Sequence, residues 1–278
     1  MGRTLAGLPG AVFEELSTAF PDADLRRARW QNGAFHFVAL CDASVVVRVR
    51  VGGDHHAAVT REVDAMRWFS RLPLAARTPG VQRGPVDGGG WSAFSCDLMP
   101  GEPMRPADWQ DDRGVLLPLL EDLASVVPPP LPASDGLRAW CGGERWPTIV
   151  DEITAAWTRS SRRAALAAME VVLQEAPEVA VAVHGDFGPH NVLLGPAGTA
   201  LIDPDNAGVG EPETDLAPLL GFYAQDDIAR DFSAARMRRA AEIKRVLPLQ
   251  VAAAAELAAD GSLRDHALGN FLRREARR

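Results

Sequence analysis

The chain has 278 residues, 47% of them hydrophobic, so it can bury a sizeable core and reads as one large domain or two small ones. Its net charge of −8 excludes a nucleic-acid binder that relies on a basic face, and mildly favours a cationic partner. Cys41, Cys96 and Cys141 lie far apart with no Cys-x-x-Cys spacing, which argues against a disulfide framework or a cysteine zinc site and fits a reducing cytoplasm. Arg3 is followed by no apolar h-region before Glu14 and Glu15, and apolar runs such as 251–255 are far too short to span a bilayer. The expectation is a soluble cytoplasmic protein, monomer or homodimer, with no nucleic-acid or membrane partner.

In chain order, residues 11–20 predict a short helix, and 35–40 and 44–51 predict two strands around the turn Cys41-Asp42-Ala43. Gly52 and Gly53 break the second strand. Val59, Val63, Met66 and Phe69 recur at spacings of four, three and three, one face of a helix over about 56–72. Pro73, Pro79, Gly80 and the glycines at 88–90 mark loops, and 91–98 predicts another strand stopped by Pro100 and Gly101. Helical patterns then cover 114–127, 149–160 and 162–176. A short strand-type run at 179–183 follows, and the chain beyond Asp215 is helix-compatible with breaks near Pro248 and Gly261. The fold class is α+β: a sheet-bearing lobe to residue 96, a link at 97–101, and a larger, mostly helical lobe over 102–278.

The densest run of unusual residues lies at 184–203: a polar loop from His184 to Asn191, two short apolar runs joined by a glycine-bounded turn, and Asp203 at the end. The runs predict a hairpin, and antiparallel neighbours lie about 5 Å apart, so Asn191 at its entry and Asp203 at its exit come together. Two oxygen ligands placed so suit Mg²⁺, which takes few protein ligands and leaves room for phosphates. Asp186, five residues before Asn191, is free to orient an acceptor hydroxyl. Phosphoryl transfer needs this combination, because its catalysis is mostly positioning and charge neutralisation. His184 and His190 could be read as zinc ligands, but no third or fourth His or Cys is near them; His184 is better read as support for the loop.

His-Gly-Asp-(x)₄-Asn, a hairpin and Ile-Asp together resemble the signature of the aminoglycoside phosphotransferase and choline kinase group. Gly210-Glu-Pro-Glu-Thr-Asp-Leu-Ala resembles a second motif of the same group. The resemblance implies a bilobal protein-kinase-like fold, Asp186 as catalytic base, Asn191 and Asp203 as Mg²⁺ ligands, and ATP or GTP as phosphate donor. It also implies that Asp215 caps a helix and anchors the catalytic loop.

The small lobe of such a fold needs a cation on its third strand, paired with a glutamate on the next helix. Lys244 is the only lysine, so the cation has to be an arginine; Arg48 stands mid-strand, fourteen residues before Glu62. An arginine is always charged and can grip phosphate as a fork. Arg50 shares its strand face and is expected to be solvated. Asn32 and Gly33 are the expected contacts of a loose phosphate-covering loop, and backbone groups near Asp97 and Met99 would meet the adenine. Pro204 and Asp205 depart from the group's usual aromatic residue after the metal aspartate; Asp205 is open between a metal-proximal or substrate-facing carboxylate and a surface residue. Asp226, Asp227 and Asp231 fit either a site for a polycation or a solvated helix face. The acceptor implied is an antibiotic with several amines, an aminoglycoside or a cationic peptide of the viomycin and capreomycin kind. The alternatives are a metabolite such as choline, an amino alcohol or a sugar, a catalytically inactive kinase-like binding protein, and a metal-dependent hydrolase.

Overall fold

The computed structural model describes residues 8–33, 35–41, 44–130, 137–174 and 179–277. Helix α1 (Gly10–Ala19) leads into β1 (Arg29–Asn32), β2 (Phe37–Cys41) and β3 (Val45–Val51), then α2 (His55–Phe69), β4 (Val81–Gly88) and β5 (Trp91–Asp97). The five strands form one antiparallel sheet in the order β1-β2-β3-β5-β4. Alternation along the β-branched β3 decides which side each residue serves. Val47 and Val49 pack with Val12 and Leu16 of α1, and Val46 with Val59, Val63 and Met66 of α2. Arg48 and Arg50 therefore point to the α2 side, where burying each neighbouring aliphatic side chain contributes roughly 1.5–3 kcal/mol.

Strand β6 (Glu102–Pro103) and α3 (Trp109–Ser125) follow, the helix capped by Asp108 accepting from the Asp111 N–H. Next come α4 (Trp146–Ile153), α5 (Arg159–Gln174), β7 (Val181–Val183), β8 (Val192–Gly195), β9 (Gly198–Leu201) and β10 (Gly208–Gly210). The chain ends with α6 (Glu213–Leu219), α7 (Gln225–Ile228), α8 (Ala234–Leu257) and α9 (Gly261–Glu275). One apolar cluster joins Phe69 of α2 to α3, Phe187, β8, β9, α6 and α8; a second joins α4, α5, α8 and α9. Among the described residues no helix is long and apolar enough to cross a membrane. The three cysteines are buried.

The expected hairpin is present: β8 pairs antiparallel with β9, Gly195 opposite Gly198. The expected turn at Asp42 and Ala43 lies outside the described residues. Strands β4, β6 and β10 were not anticipated. Of these β4 carries Gly84 and Pro85 with register shifts against β5, and it lies at the sheet edge, where proline costs no ladder bond. The expected break at Pro248 does not occur, because α8 runs through it with Val246, Leu249, Ala252 and Ala253 all buried against α4, α5 and α9. That packing outweighs the one backbone bond the proline removes. The break before Gly261 is real, with Asp260 capping α9 through the Leu263 N–H. The helix expected to reach residue 160 stops at Ile153.

Candidate active site

Two small sheets hold the 184–206 segment at both ends: β7 pairs with β10, and β8 sits between β6 and β9. Between β7 and β8 the loop turns at Gly185, whose φ is +82; a Cβ there would lie 2.1 Å from the Asn206 carbonyl oxygen, so only glycine fits. Asp215, buried in the first turn of α6, accepts from the backbone N–H of His184 at 2.7 Å and of Gly185 at 2.8 Å. It anchors the loop as expected, but it is not the helix cap: that position is Pro212. Burial, only partly offset by His184 and these two N–H donors, pushes its carboxyl up to about 6. His184 is fully buried, edge-on to Phe69 at 5.4 Å. Its Nε2 lies 2.9 Å from the Ile202 carbonyl, which only accepts, so Nε2 carries the proton and ties the loop to the hairpin exit.

Asp186 is half-exposed and therefore reachable. The Asn191 side-chain amide donates to its backbone oxygen at 2.9 Å and to Oδ2 at 3.3 Å. That bond fixes the aspartate and leaves the carbonyl oxygen of Asn191, the atom able to ligate a cation, turned away from it. His190 stands 3.8 Å from Asp186 Oδ2; the nearby Asp186 carboxylate raises its pKa, while burial works against this. Its ring packs on Phe222, 5.4 Å between centroids. At the other end of the hairpin the Ile202 N–H donates to the backbone carbonyl of Asn191, so Asp203 follows directly on the residue opposite Asn191. Asp203 has φ +64, a left-handed conformation costly for a non-glycine residue, and it bends the chain so that Asp203 and Asp205 meet the same guanidinium.

That guanidinium belongs to Arg48. It is buried and donates to Asp203 Oδ1 at 2.5 Å and to Asp205 Oδ2, and its Nη2 lies 2.6 Å from His36 Nε2. The Phe94 ring lies 5.6 Å below it. Burial opposes the charge on Arg48, but Asp203 and Asp205 outweigh it and raise its pKa. Burial likewise opposes ionisation of Asp203, yet Arg48 and then His36 hold its carboxyl well below the usual range. Burial drives Asp205 the other way, well above that range, Arg48 compensating only in part and the Asp203 charge adding to the rise. His36 is pushed down to about 4, first by burial and then by Arg48. Asp205 is thus neither a surface residue nor open to an acceptor.

The expected pairing of Glu62 with Arg48 is not formed. Glu62 on α2 accepts from Arg50 Nε at 2.7 Å, both side chains are largely buried, and Arg50 stacks on Phe35 at 5.3 Å instead of being solvated. Strand alternation puts Arg48 and Arg50 on one face, and only the closeness of the 203–205 loop to Arg48 sorts their partners. Among the other expected contacts, the Gly33 N–H closes the β1–β2 turn on the His36 carbonyl at 2.8 Å, next to Asn32 at the end of β1. The Asp97 carboxylate accepts from the Gly80 N–H and from Gln82, tying the sheet edge together. Met99 is buried against Leu193 and Ala200, under the hairpin. Asp231 accepts from Trp109 and Arg113, and Asp227 pairs with Arg230, so two of the three acidic positions after 225 already have partners within the chain. His36 and Phe35 went unnoticed in the sequence: a lone His-Phe pair in a turn carries no periodicity.

A sheet-bearing lobe over a helical one, with an aspartate–asparagine loop and a metal-type aspartate after a hairpin, defines a protein-kinase-like phosphotransferase. The chain belongs to the phosphotransferase enzyme family, whose model matches residues 25–249; it is a small-molecule kinase. No curated protein matches the sequence closely enough to count as a relative. Several solved aminoglycoside phosphotransferases share the fold. The wild-type 2'-phosphotransferase-IIIa in its GDP complex is 15% identical with a TM-score of 0.70 over 96% of this chain and 98% of that one. The gentamicin complex of APH(2")-IIa is 16% identical, with a TM-score of 0.68 over 96% and 97%. A thermostable variant of APH(4)-Ia bound to ADP and hygromycin B is 16% identical, with a TM-score of 0.61 over 94% and 96%.

Proposed function

We propose that the protein is an ATP- or GTP-dependent O-phosphotransferase acting on a small hydroxylated cationic antibiotic, an aminoglycoside or a viomycin-type peptide, and so confers resistance. The observation that carries this reading is the loop itself: a reachable Asp186 locked by Asn191, with Asp203 at the hairpin exit. Asp186 orients the acceptor hydroxyl and takes its proton. The free carbonyl oxygen of Asn191 and the carboxylate of Asp203 fit Mg²⁺, which when bound supplies neutralisation of the phosphate charge. Arg48 grips phosphate oxygens when it leaves Asp203, beneath the Asn32–Gly33 turn. Residues 97–101, with backbone groups near Asp97 and Met99, link the lobes and meet the adenine. The solved relatives that hold gentamicin or hygromycin B lend the antibiotic class its support.

The test is nucleotide-dependent ADP or GDP release across aminoglycosides, capreomycin, choline and simple sugars. Release driven by an aminoglycoside or a cationic peptide, and abolished in Asp186→Ala, is the expected result. Release with choline or a sugar alone would make the protein a metabolite kinase. Nucleotide binding without turnover on any acceptor would make it a binding protein.

A further inference from the structure

Arg48 sits among three groups whose chemistry suits a cation. His36, Asp203 and Asp205 each offer a ligand atom, and all three atoms lie within 4.8 Å of one another. They come from both lobes: His36 from the β1–β2 turn, the two aspartates from the segment after β9. Bonds of roughly 2.1 Å let one cation touch atoms up to about 4.2 Å apart, so the cage has to close by only about half an ångström.

The orientation of His36 is the telling point. Arginine only donates, so His36 Nε2, 2.6 Å from the Arg48 guanidinium, must accept, and its lone pair faces the centre of the cage. The same lone pair would bind a metal. With Nε2 accepting, Nδ1 carries the proton; the Oδ1 of Asp205 is buried with no hydrogen-bond partner, which leaves ligating capacity unused. Charge points the same way. Arg48 offers one positive charge to two buried carboxyl groups, and burial resists ionising both of them around it. A divalent cation would carry the charge of both carboxylates and release Arg48 towards phosphate.

We propose that His36, Asp203 and Asp205 form a divalent-cation site distinct from the Asn191–Asp203 pair, with Arg48 and the cation as alternative occupants. One imidazole among two carboxylates selects a cation of the Mn²⁺ or Co²⁺ type over Mg²⁺, which prefers oxygen ligands alone. Once bound, the cation clamps the phosphate-covering turn to the loop that carries Asp203. The proposal rests on the phosphotransferase reading only for where Arg48 goes on release.

Mn²⁺ is the probe, titrated by electron paramagnetic resonance into the full chain without nucleotide. Arg48→Met should bind one Mn²⁺ at least tenfold more tightly than wild type. His36→Ala or Asp205→Asn added to Arg48→Met should each weaken it at least tenfold. Pulsed spectra of protein labelled with ¹⁵N-histidine should show a nitrogen coupling in Arg48→Met that vanishes with His36→Ala. Equal Mn²⁺ affinity of Arg48→Met and wild type, or no histidine coupling, would overturn the proposal. If Arg48→Met proves unfolded by circular dichroism, the same coupling is sought in wild type holding excess Mn²⁺ and ADP, where its absence overturns the proposal equally. Failure of wild type to bind Mn²⁺·ADP at all would count against the phosphotransferase reading and leave the nucleotide-free titration of Arg48→Met standing.

Discussion

Asp215→Asn isolates the strut that holds the catalytic loop. The wild-type carboxylate accepts two backbone N–H groups at 2.7 and 2.8 Å from a buried position. Asparagine keeps one acceptor oxygen, so one buried N–H is left facing an amide donor, at a cost of about 1–3 kcal/mol. The opposing effect is the charge: the folded carboxyl titrates near 6 against 3.8 unperturbed, a gap worth about 3 kcal/mol. Between those pH values the folded state binds more protons than the unfolded one, so the contribution of Asp215 to stability is fully present below 3.8 and is lost as pH rises to about 6. Asp215→Asn should therefore be clearly less stable than wild type at pH 4, with the difference shrinking by about 3 kcal/mol by pH 7. Urea unfolding of both proteins across pH 4–7 reads this directly. Parallel stability curves would show that Asp215 is not a strained buried carboxylate. Turnover at pH 7 should fall although stability does not, because the loop has lost an anchor.

Asp186→Asn should lower kcat by about 10²–10⁴-fold with the nucleotide KM nearly unchanged, since the carboxylate acts on the acceptor; steady-state kinetics on the active acceptor decides, and near-wild-type turnover would end its assignment as base. Arg48→Ala should raise the nucleotide KM and lower kcat/KM by an amount equivalent to about 2–5 kcal/mol. Arg50→Ala should leave the nucleotide KM within a few-fold and instead lower the melting temperature, because it strands buried Glu62; equal kinetic effects of the two would place the phosphate cation elsewhere. Glu62→Gln should mimic Arg50→Ala, and a rise in nucleotide KM matching that of Arg48→Ala would show that Glu62 steadies Arg48 after all.

The hairpin, its loop and the α2 face were legible because each is local. Val59, Val63 and Met66 repeat with helical spacing, and the glycine-bounded turn between two apolar runs leaves little but a hairpin. Strand β4 was not legible, because Gly84 and Pro85 read as a loop unless the strand is known to lie at an edge. Pro248 misled for the opposite reason: it is a local breaker overruled by packing on three sides, which no window of sequence contains. His36 is the plainest case. Thirty-four residues lie between it and Met1, none with a motif, and its meaning comes wholly from residues 167 and 169 positions further on.

The arginine pair shows where local reasoning about a site stops. Alternation along β3 assigns Arg48 and Arg50 to one face and a helix glutamate to the same side, and nothing in the sequence says which arginine the glutamate takes. The outcome depends on burial and on competition. Two carboxylates arrive beside Arg48 on a loop bent by the positive φ of Asp203, and together they outbid a single glutamate for that cation. Glu62 is then left with the arginine nearer the end of the strand, where Phe35 covers the pair and keeps it from water. A buried charge takes whichever partner lowers its cost most, so the ion-pair map of such a site follows from the whole charge set around it. For this kinase that set binds the expected phosphate cation to the expected metal aspartate. On the proposed function, loading nucleotide at this site would be an exchange of partners, in which Asp203 gives up Arg48 before it serves a cation.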